Sequence, residues 1–218
     1  MPNTVIIGDV HLGADGYLEE EFKEALESVA EDVDLILFNG DFLDSYEEKG
    51  KKVFDNFIEW LETKGWKEKI VFITGGMGHE GNILFDYPSI QILPWAILNT
   101  KEGRIIVCHG HNIGLVKRSD ETWVQAANNL KKRLVKNAID FLPKILPTDK
   151  LIISHAHVPF YDMENGVFAT GSWVLKDELR ENVDFIKRNI GVFILVDDED
   201  RNDPIKMKRF FELQTLKA

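Results

Sequence analysis

Aspartate and histidine side chains stand directly after four short apolar runs of this chain, although the runs are far apart in the sequence. The side chains at these positions are Asp9, His11, Asp41, His109, His111, His155 and His157. The only other histidine is His79, so none of the six histidines is left as a scattered surface residue. Two residue types that return in such a repeated pattern indicate one shared metal site.

A mixed set of carboxylate and imidazole ligands suits Mn, Fe or Zn. The single cysteine, Cys108, excludes a thiolate site. A carboxylate can bridge two cations, and two cations roughly 3.5–4 Å apart can hold a phosphate and activate a water molecule. Gly8, Gly40 and Gly110 should let the backbone turn sharply beside the cations. This chemistry needs no protein nucleophile.

The elements that must position these residues alternate between strands and helices in the first third of the chain. Apolar runs at 4–7, 35–38 and 70–73 predict strands, and apolar residues at helical spacing between them predict two helices. This β-α-β-α-β order predicts an α/β fold with helices on the faces of a sheet. The ends of parallel strands in such a sheet meet in one crevice, so the side chains that follow the strands should meet there.

The second half of the chain has a different pattern. Further strands are predicted at 90–93, 95–98, 104–107 and 150–153, and antiparallel strands in the tail after residue 166. Between them an insertion at about 115–148 carries a long predicted helix, about Ser119 to Leu146. Its apolar stripe, which includes Trp123 and Leu130, should pack against the domain, while an exposed part of it would suit a lipid pocket or a homodimer contact.

The basic residues Lys131, Lys132 and Arg133 of this insertion should form a solvated helix face rather than a binding patch. The net charge of the chain is -11, which disfavours nucleic acid as a partner, although a local basic groove would still allow it. No apolar run is long enough to span a membrane, and the N-terminus lacks the pattern of a signal peptide. With one cysteine, a cytoplasmic protein of one domain, residues 1–218, is expected.

Four blocks of the chain resemble the signature motifs of the calcineurin-like metallophosphoesterases. The blocks are Gly8-Asp9-Val10-His11, Gly40-Asp41-Phe42-Leu43-Asp44, Cys108-His109-Gly110-His111 and Ser154-His155-Ala156-His157. They are similar to the motifs DxH, GDxxD, HGH and GHxH, in the family's order and each after a predicted strand. The resemblance implies a four-layer α/β (α+β) fold in which two packed mixed β-sheets are flanked by α-helices.

The resemblance also implies a role for each matching residue. The first metal ion would be held by Asp9, His11 and His157. The second would be held by His109 and His155. Asp41 would bridge the two ions and so take part in catalysis, and Asp44 would orient its loop from behind the ligands. His111 would act in the same way or contact the substrate. Mn is the expected metal, with Fe, Ni or Zn as alternatives.

One block departs from the family pattern. Gly75-Gly76-Met77-Gly78-His79-Glu80 stands where GNH(D/E) is expected, so a glycine replaces the asparagine that usually binds the second metal. His79 would be the family's substrate-facing histidine, which donates a proton to the leaving group, or would itself replace the missing ligand. Asn82 is a further substitute. The second metal site is therefore expected to bind weakly.

The insertion and the Gly171-Ser172-Trp173 segment are loosely similar to the UDP-2,3-diacylglucosamine pyrophosphohydrolase-like branch, in which the insertion shapes the substrate pocket. By that resemblance Lys117 and Arg118 would contact a phosphorylated small-molecule or lipid-like substrate. The expected reaction is hydrolysis of a phosphodiester, pyrophosphate or phosphomonoester by a metal-activated hydroxide. A nuclease of the same superfamily and a catalytically silent metal-binding or interaction module are the alternatives.

Overall fold

The computed structural model describes residues 3–44, 48–75, 83–175, 182–197, 199–200 and 204–210. Within these residues the strands form two sheets. The first sheet contains β1 (Thr4–Gly8), β2 (Leu35–Asn39), β3 (Ile70–Ile73), β4 (Gln91–Leu93), β10 (Val192–Val196) and β11 (Ile205–Arg209). The second contains β5 (Ala96–Thr100), β6 (Gly103–Cys108), β7 (Lys150–Ile153), β8 (Phe160–Asp162) and β9 (Val167–Ala169). The helices are α1 (Glu19–Ala30), α2 (Glu48–Lys64), α3 (Trp123–Lys136) and α4 (Val183–Asn189).

Both sheets are mixed. The strand order is β11-β10-β1-β2-β3-β4 in the first sheet and β5-β6-β7-β9-β8 in the second. The strands β1 to β4 are parallel to one another, and β10 joins β1 in the antiparallel sense. In the second sheet β6, β7 and β9 are parallel, with antiparallel β5 and β8 at the two edges.

In the part of the chain that the structure describes, three apolar clusters hold the layers together. They form on both sides of the sheets because successive side chains of a strand point to opposite faces. In β1, Ile6 packs into a cluster with Ile152 and Phe168 of the second sheet. Its neighbours Val5 and Ile7 point the other way, into a cluster that includes residues of α1 and α2. A third cluster packs α3 against the second sheet. The expected fold, two mixed sheets flanked by helices, is confirmed.

The two-sheet arrangement corrects one detail of the predicted crevice. The chemistry-bearing strand ends were expected to meet at the edge of one sheet, but β1 and β2 belong to the first sheet and β6 and β7 to the second. The parallel neighbours β6 and β7 pair with β5 and β9 instead of joining β3. The ends therefore meet where the two sheets face each other.

The inserted helix is shorter than predicted. α3 begins after Thr122, whose hydroxyl accepts from the Gln125 backbone while its own N–H donates to the Gln125 side chain, a capping box that sets the first turn. It ends before Asn137, which is extended. Pro143 and Pro147 disfavour the predicted continuation to Leu146. Leu130 is buried as expected for the apolar stripe.

Lys131 does not lie on a solvated face, contrary to prediction. Its side chain is buried and its ammonium donates to the carbonyl of Asn165 at 2.6 Å. Burial lowers its pKa. Lys132 and Arg133 are exposed, as predicted for that face. Among the helices of the described ranges, none has the length and apolar character needed to cross a membrane.

Candidate metal centre

Among the described residues, two groups of side chains at the facing strand ends have ligand atoms within 4.8 Å of one another. The first group is Asp9, His11, Asp41 and His157. The second group is Asp41, His109 and His155. Asp41 belongs to both groups, so one carboxylate stands between two sets of imidazole nitrogens. Residues separated by up to 148 positions in the chain are brought together here.

The backbone at this site is held in a conformation that side chains disfavour. Five non-glycine residues of the described chain have a positive φ, and all five belong to the two groups: Asp9 (50°), His11 (52°), Asp41 (46°), His155 (84°) and His157 (53°). Left-handed non-glycine residues are costly and concentrate at functional sites, where the surrounding structure keeps them in place. The unfavourable backbone conformation is therefore best explained by the direction that it gives to the side chains of these residues.

Glycines let the two sheets approach each other closely at this point. Gly40 has a φ of +72°, and a Cβ added to it would lie 2.5 Å from the ring of His109. Gly8 and Gly110 were also expected to turn the backbone, but neither has a positive φ. They are needed for space instead, since a Cβ on Gly110 would lie 2.8 Å from the Ser154 carbonyl oxygen and one on Gly8 would collide with Thr170.

In the first group, the ring of His11 is held from both sides. Its Nδ1 lies 3.2 Å from a carboxylate oxygen of Asp44, and its Nε2 lies 3.1 Å from Nε2 of His157. Two imidazole nitrogens held by one cation at about 2.0–2.1 Å would lie roughly 3.0–3.4 Å apart. The facing ring nitrogens, together with the buried carboxylate of Asp9, therefore fit a divalent metal ion.

In the second group, His109 is completely buried, and its Nε2 lies 3.4 Å from Asp41 Oδ2 and 3.5 Å from Asp9 Oδ1. Neither ring nitrogen has a hydrogen bond of good geometry among the described residues. Burial alone would lower the pKa of His109, but the facing carboxylates of Asp41 and Asp9 raise it to about 9. Positive charge is thus favoured where a cation would sit, and the set of donors fits a second ion.

The pKa of His155 is shifted in the opposite direction to that of His109. Burial and the charge of His109 lower its pKa, which keeps its imidazole neutral, the form in which histidine binds metals. Its backbone N–H donates to both carboxylate oxygens of Asp9, at 3.0 and 2.8 Å. Asp9 therefore links the first sheet to the loop that carries His155 and His157.

The tail of the chain supports Asp9 in a way that its motif did not reveal. The carbonyl oxygen of Asp9 accepts from the Trp173 backbone N–H and from the Ser172 hydroxyl, both at 3.2 Å. Trp173 is fully buried against Phe22 of α1. In the sequence this segment stands out only as a family likeness, and the serine between a glycine and a tryptophan is the one local sign of a structural role.

The remaining predicted site residues lie at different distances from the two groups. His111 is exposed, and its ring centroid lies 5.5 Å from that of His155. Lys117 donates to the carbonyls of Arg118 and Glu121, so its ammonium is held within its own loop. Arg118 lines a cavity of about 280 Å³ together with Arg133 and Gly114. His79 and Asn82 lie outside the described residues.

Residues 2–194 of the chain match the family described as calcineurin-like phosphoesterase. Among solved structures, the chain is similar to Yfce, a phosphoesterase from E. coli, with 16% identity, a TM-score of 0.51, and coverage of 90% of this chain and 88% of that chain. It is also similar to Vps29 from Entamoeba histolytica (13% identity, TM-score 0.48, 95% of this chain and 97% of that chain). The nuclease MPE from Pseudomonas putida matches with 16% identity and a TM-score of 0.47, over 80% of this chain and 75% of that chain. No curated protein matches the sequence. At these identities, the likeness to Yfce shows the fold alone.

Proposed function

The chain belongs to the calcineurin-like phosphoesterase family, and on that premise we propose that it hydrolyses a phosphoester or phosphoanhydride bond with two divalent metal ions. The observation that carries the proposal is the position of Asp41, which belongs to both groups of ligand atoms. A shared carboxylate can bridge two neighbouring cations and hold them at the short separation of a two-metal hydrolytic site. The left-handed backbone at five of the six grouped residues supports the same conclusion, because such strain is retained where function needs it.

In this proposal Asp9, His11 and His157 hold the first ion. His109 and His155 hold the second, and Asp41 bridges them. When bound, two such ions neutralise charge on the phosphoryl oxygens and lower the pKa of a water molecule that attacks phosphorus. Mn is the preferred ion, with Fe, Ni or Zn as alternatives, since carboxylate and imidazole ligands suit all of them.

The protein side chains have distinct tasks around this centre. Asp44 accepts from Nδ1 of His11 and so keeps Nε2 unprotonated and aimed at the neighbouring nitrogen of His157. His157 is 45% exposed and His111 is exposed, so they border the open side from which a phosphoester would approach. His79 is proposed to protonate the leaving oxygen.

The proposed substrate is a phosphorylated small molecule or a lipid-like phosphoester. The cavity that contains Arg118 and Arg133 is also lined by Gly114. The backbone N–H of Gly114 donates to the carbonyl of His111, so this cavity adjoins the loop that carries His111. Guanidinium groups suit phosphate because they present paired donors. The finer likeness to UDP-diacylglucosamine pyrophosphohydrolases stays a prediction, as does a homodimer. A cytoplasmic location is proposed from the single buried cysteine.

The test is to measure metal content and hydrolysis on the same preparation. The purified chain should bind about two Mn ions and cleave a chromogenic phosphodiester, a chromogenic monoester or a pyrophosphate. Asp41→Asn should lower kcat at least 100-fold and reduce the bound metal, because the bridging oxygen loses its charge. Asp120→Asn, an exposed carboxylate outside both groups, is the matched control and should behave as wild type.

Three outcomes distinguish this proposal from its alternatives. Metal binding without hydrolysis of any of these substrates would favour a catalytically silent module. Cleavage of single-stranded DNA at a rate well above that of the small esters would favour a nuclease, against the net charge of -11. Full activity of Asp41→Asn would show that the bridging assignment is wrong.

A further inference from the structure

Two hydrogen bonds cross from one sheet to the other directly behind the metal centre. The side-chain amide of Asn39, at the end of β2, donates to the carbonyl of Cys108 at 3.2 Å. The hydroxyl of Ser154, which follows β7, donates to the carbonyl of Asn39. Asn39, Cys108 and Ser154 are all fully buried.

These bonds are made by residues that stand one or two positions before the candidate ligands. Asn39 stands two positions before Asp41, Cys108 one position before His109, and Ser154 one position before His155. Each of the three ligands of the second group therefore belongs to a backbone segment that is hydrogen-bonded to the other sheet. The pair of bonds joins the Asp41 side of that group to the side of His109 and His155.

We propose that Asn39 and Ser154 are positioning residues, an inference that rests on the proposed function. They set the separation of Asp41 from His109 and His155, and this separation determines the affinity for the second metal ion. Metal–ligand distances must hold to within about 0.2 Å. Other hydrogen bonds also join the sheets, such as those from the His155 N–H to the Asp9 carboxylate and from the Tyr161 hydroxyl to the Ile205 carbonyl, but most side chains packed between the sheets are apolar, for example Ile6, Leu37 and Ile152. Apolar packing is non-directional and does not fix distances so closely, whereas hydrogen bonds are directional.

The second polar atom of Asn39 argues against a merely structural role. Its Oδ1 is buried and has no hydrogen-bond partner among the described residues. An unsatisfied buried amide oxygen costs free energy, and an apolar side chain of similar size would avoid that cost. Leucine would avoid that cost but would take the amide donor away from the buried Cys108 carbonyl, so stability alone gives asparagine little net advantage at this position.

The experiment compares Ser154→Ala and Asn39→Leu with Ile152→Val. Ile152 lies in β7, two residues before Ser154, and is fully buried between the sheets, so its variant loosens the same layer without removing a cross-sheet hydrogen bond. Calorimetric titration with Mn should show the first ion binding as in wild type in all three variants. The second ion should bind about tenfold more weakly in Ser154→Ala and Asn39→Leu, and unchanged in Ile152→Val.

Amide hydrogen exchange of the metal-free protein provides a second reading. Exchange at residues 39–41, 108–110 and 154–156 should quicken in Ser154→Ala and Asn39→Leu but not in Ile152→Val. The inference is overturned if the control weakens the second ion as much as Ser154→Ala, or if the two polar variants bind that ion normally. If wild type binds no second ion, the proposed function fails, and the exchange result alone decides whether the two bonds hold these segments together. Metal binding without hydrolysis would also leave the positioning result intact.

Discussion

The residues of the site that have a left-handed backbone show how much free energy the arrangement of the ligands costs. Each non-glycine residue in this region of φ and ψ costs roughly 1–3 kcal/mol, so the five together represent a large local strain. Fixed neighbours hold them: Asp41 by the close approach of Gly75, and Asp9 by the N–H of Trp173. The ligand atoms are therefore oriented before a metal arrives, which reduces the conformational entropy lost when it binds.

Asp44 should matter through the orientation of His11. Asp44→Ala removes the acceptor 3.2 Å from Nδ1, so the ring loses its fixed tautomer. We expect the first Mn to bind 10- to 100-fold more weakly, on the order of the loss seen when such outer partners are removed. Titration with Mn checks this, with the exposed Asp120→Ala as the control. Unchanged affinity would mean that His11 is oriented by its packing alone.

His79 has a predicted role that activity with different leaving groups can test. If His79 protonates the leaving oxygen, His79→Gln should lower kcat by about 100-fold or more for an alkyl phosphoester and far less for a p-nitrophenyl ester, whose leaving group needs no proton. The metal stoichiometry should stay at the wild-type value. A loss of the second ion in this variant would instead identify His79 as the replacement for the missing asparagine ligand.

At the scale of elements, the segment between α3 and β7 does not continue the helix, and an ion pair holds its end in place. The guanidinium of Arg104, in β6, donates to both carboxylate oxygens of Asp149 and to the carbonyl of Lys144. Asp149 is almost fully buried and also accepts from the backbone N–H of Leu146 at 2.7 Å. This pair fixes the path by which the insertion returns to β7.

Asp149→Ala should therefore destabilise the protein. Removing one partner of a buried ion pair costs about 3–5 kcal/mol, and since the Arg104 side chain is 31% exposed, we expect about 2 kcal/mol. The Tm should fall by roughly 4–8 °C in a chain of this size. Thermal unfolding checks this beside Asp140→Ala, an exposed carboxylate of the same segment. Equal Tm values for the two variants would show that the pair contributes little.

At the scale of the whole molecule, the acidic excess and the metal centre act together. The chain carries a net charge of -11, and the candidate ligands include two nearly or fully buried carboxylates. Divalent cations bound there would offset part of the repulsion that opposes the folded state. Stability should then depend on the metal.

Removal of metal with EDTA should lower the Tm, and Mn should restore it. At a Mn concentration 100 times the Kd, one site contributes about 2.7 kcal/mol, which corresponds to roughly 5–10 °C in a protein of this size. Scanning calorimetry measures the shift, and Mg at the same concentration is the control, because a site rich in imidazole binds Mg poorly. No shift with any transition metal would contradict the assignment of the centre.

The sequence by itself determined the family, the fold class and the set of side chains that could bind metal. Strands buried on both faces read as continuous apolar runs, and turn residues mark their ends, so local patterns predict both the strands and the positions after them. The repeated Asp and His residues at those positions then indicate one shared site. The predicted extent of α3 overlooked Pro143 and Pro147, which are local signals against a helix up to Leu146. The burial of Lys131 could not be predicted locally, because it depends on the distant residue Asn165.

The family resemblance already implied the two groups with Asp41 in both, and the ligand atoms lie close together in that grouping. Only the tertiary structure gave five of these residues a left-handed backbone and set Asn39 and Ser154 across the two sheets behind the centre. Neither feature follows from the sequence alone, because sheet pairing and sheet packing join residues more than 100 positions apart. The distances between ligand atoms, and with them the ability to hold two ions, are properties of that packing.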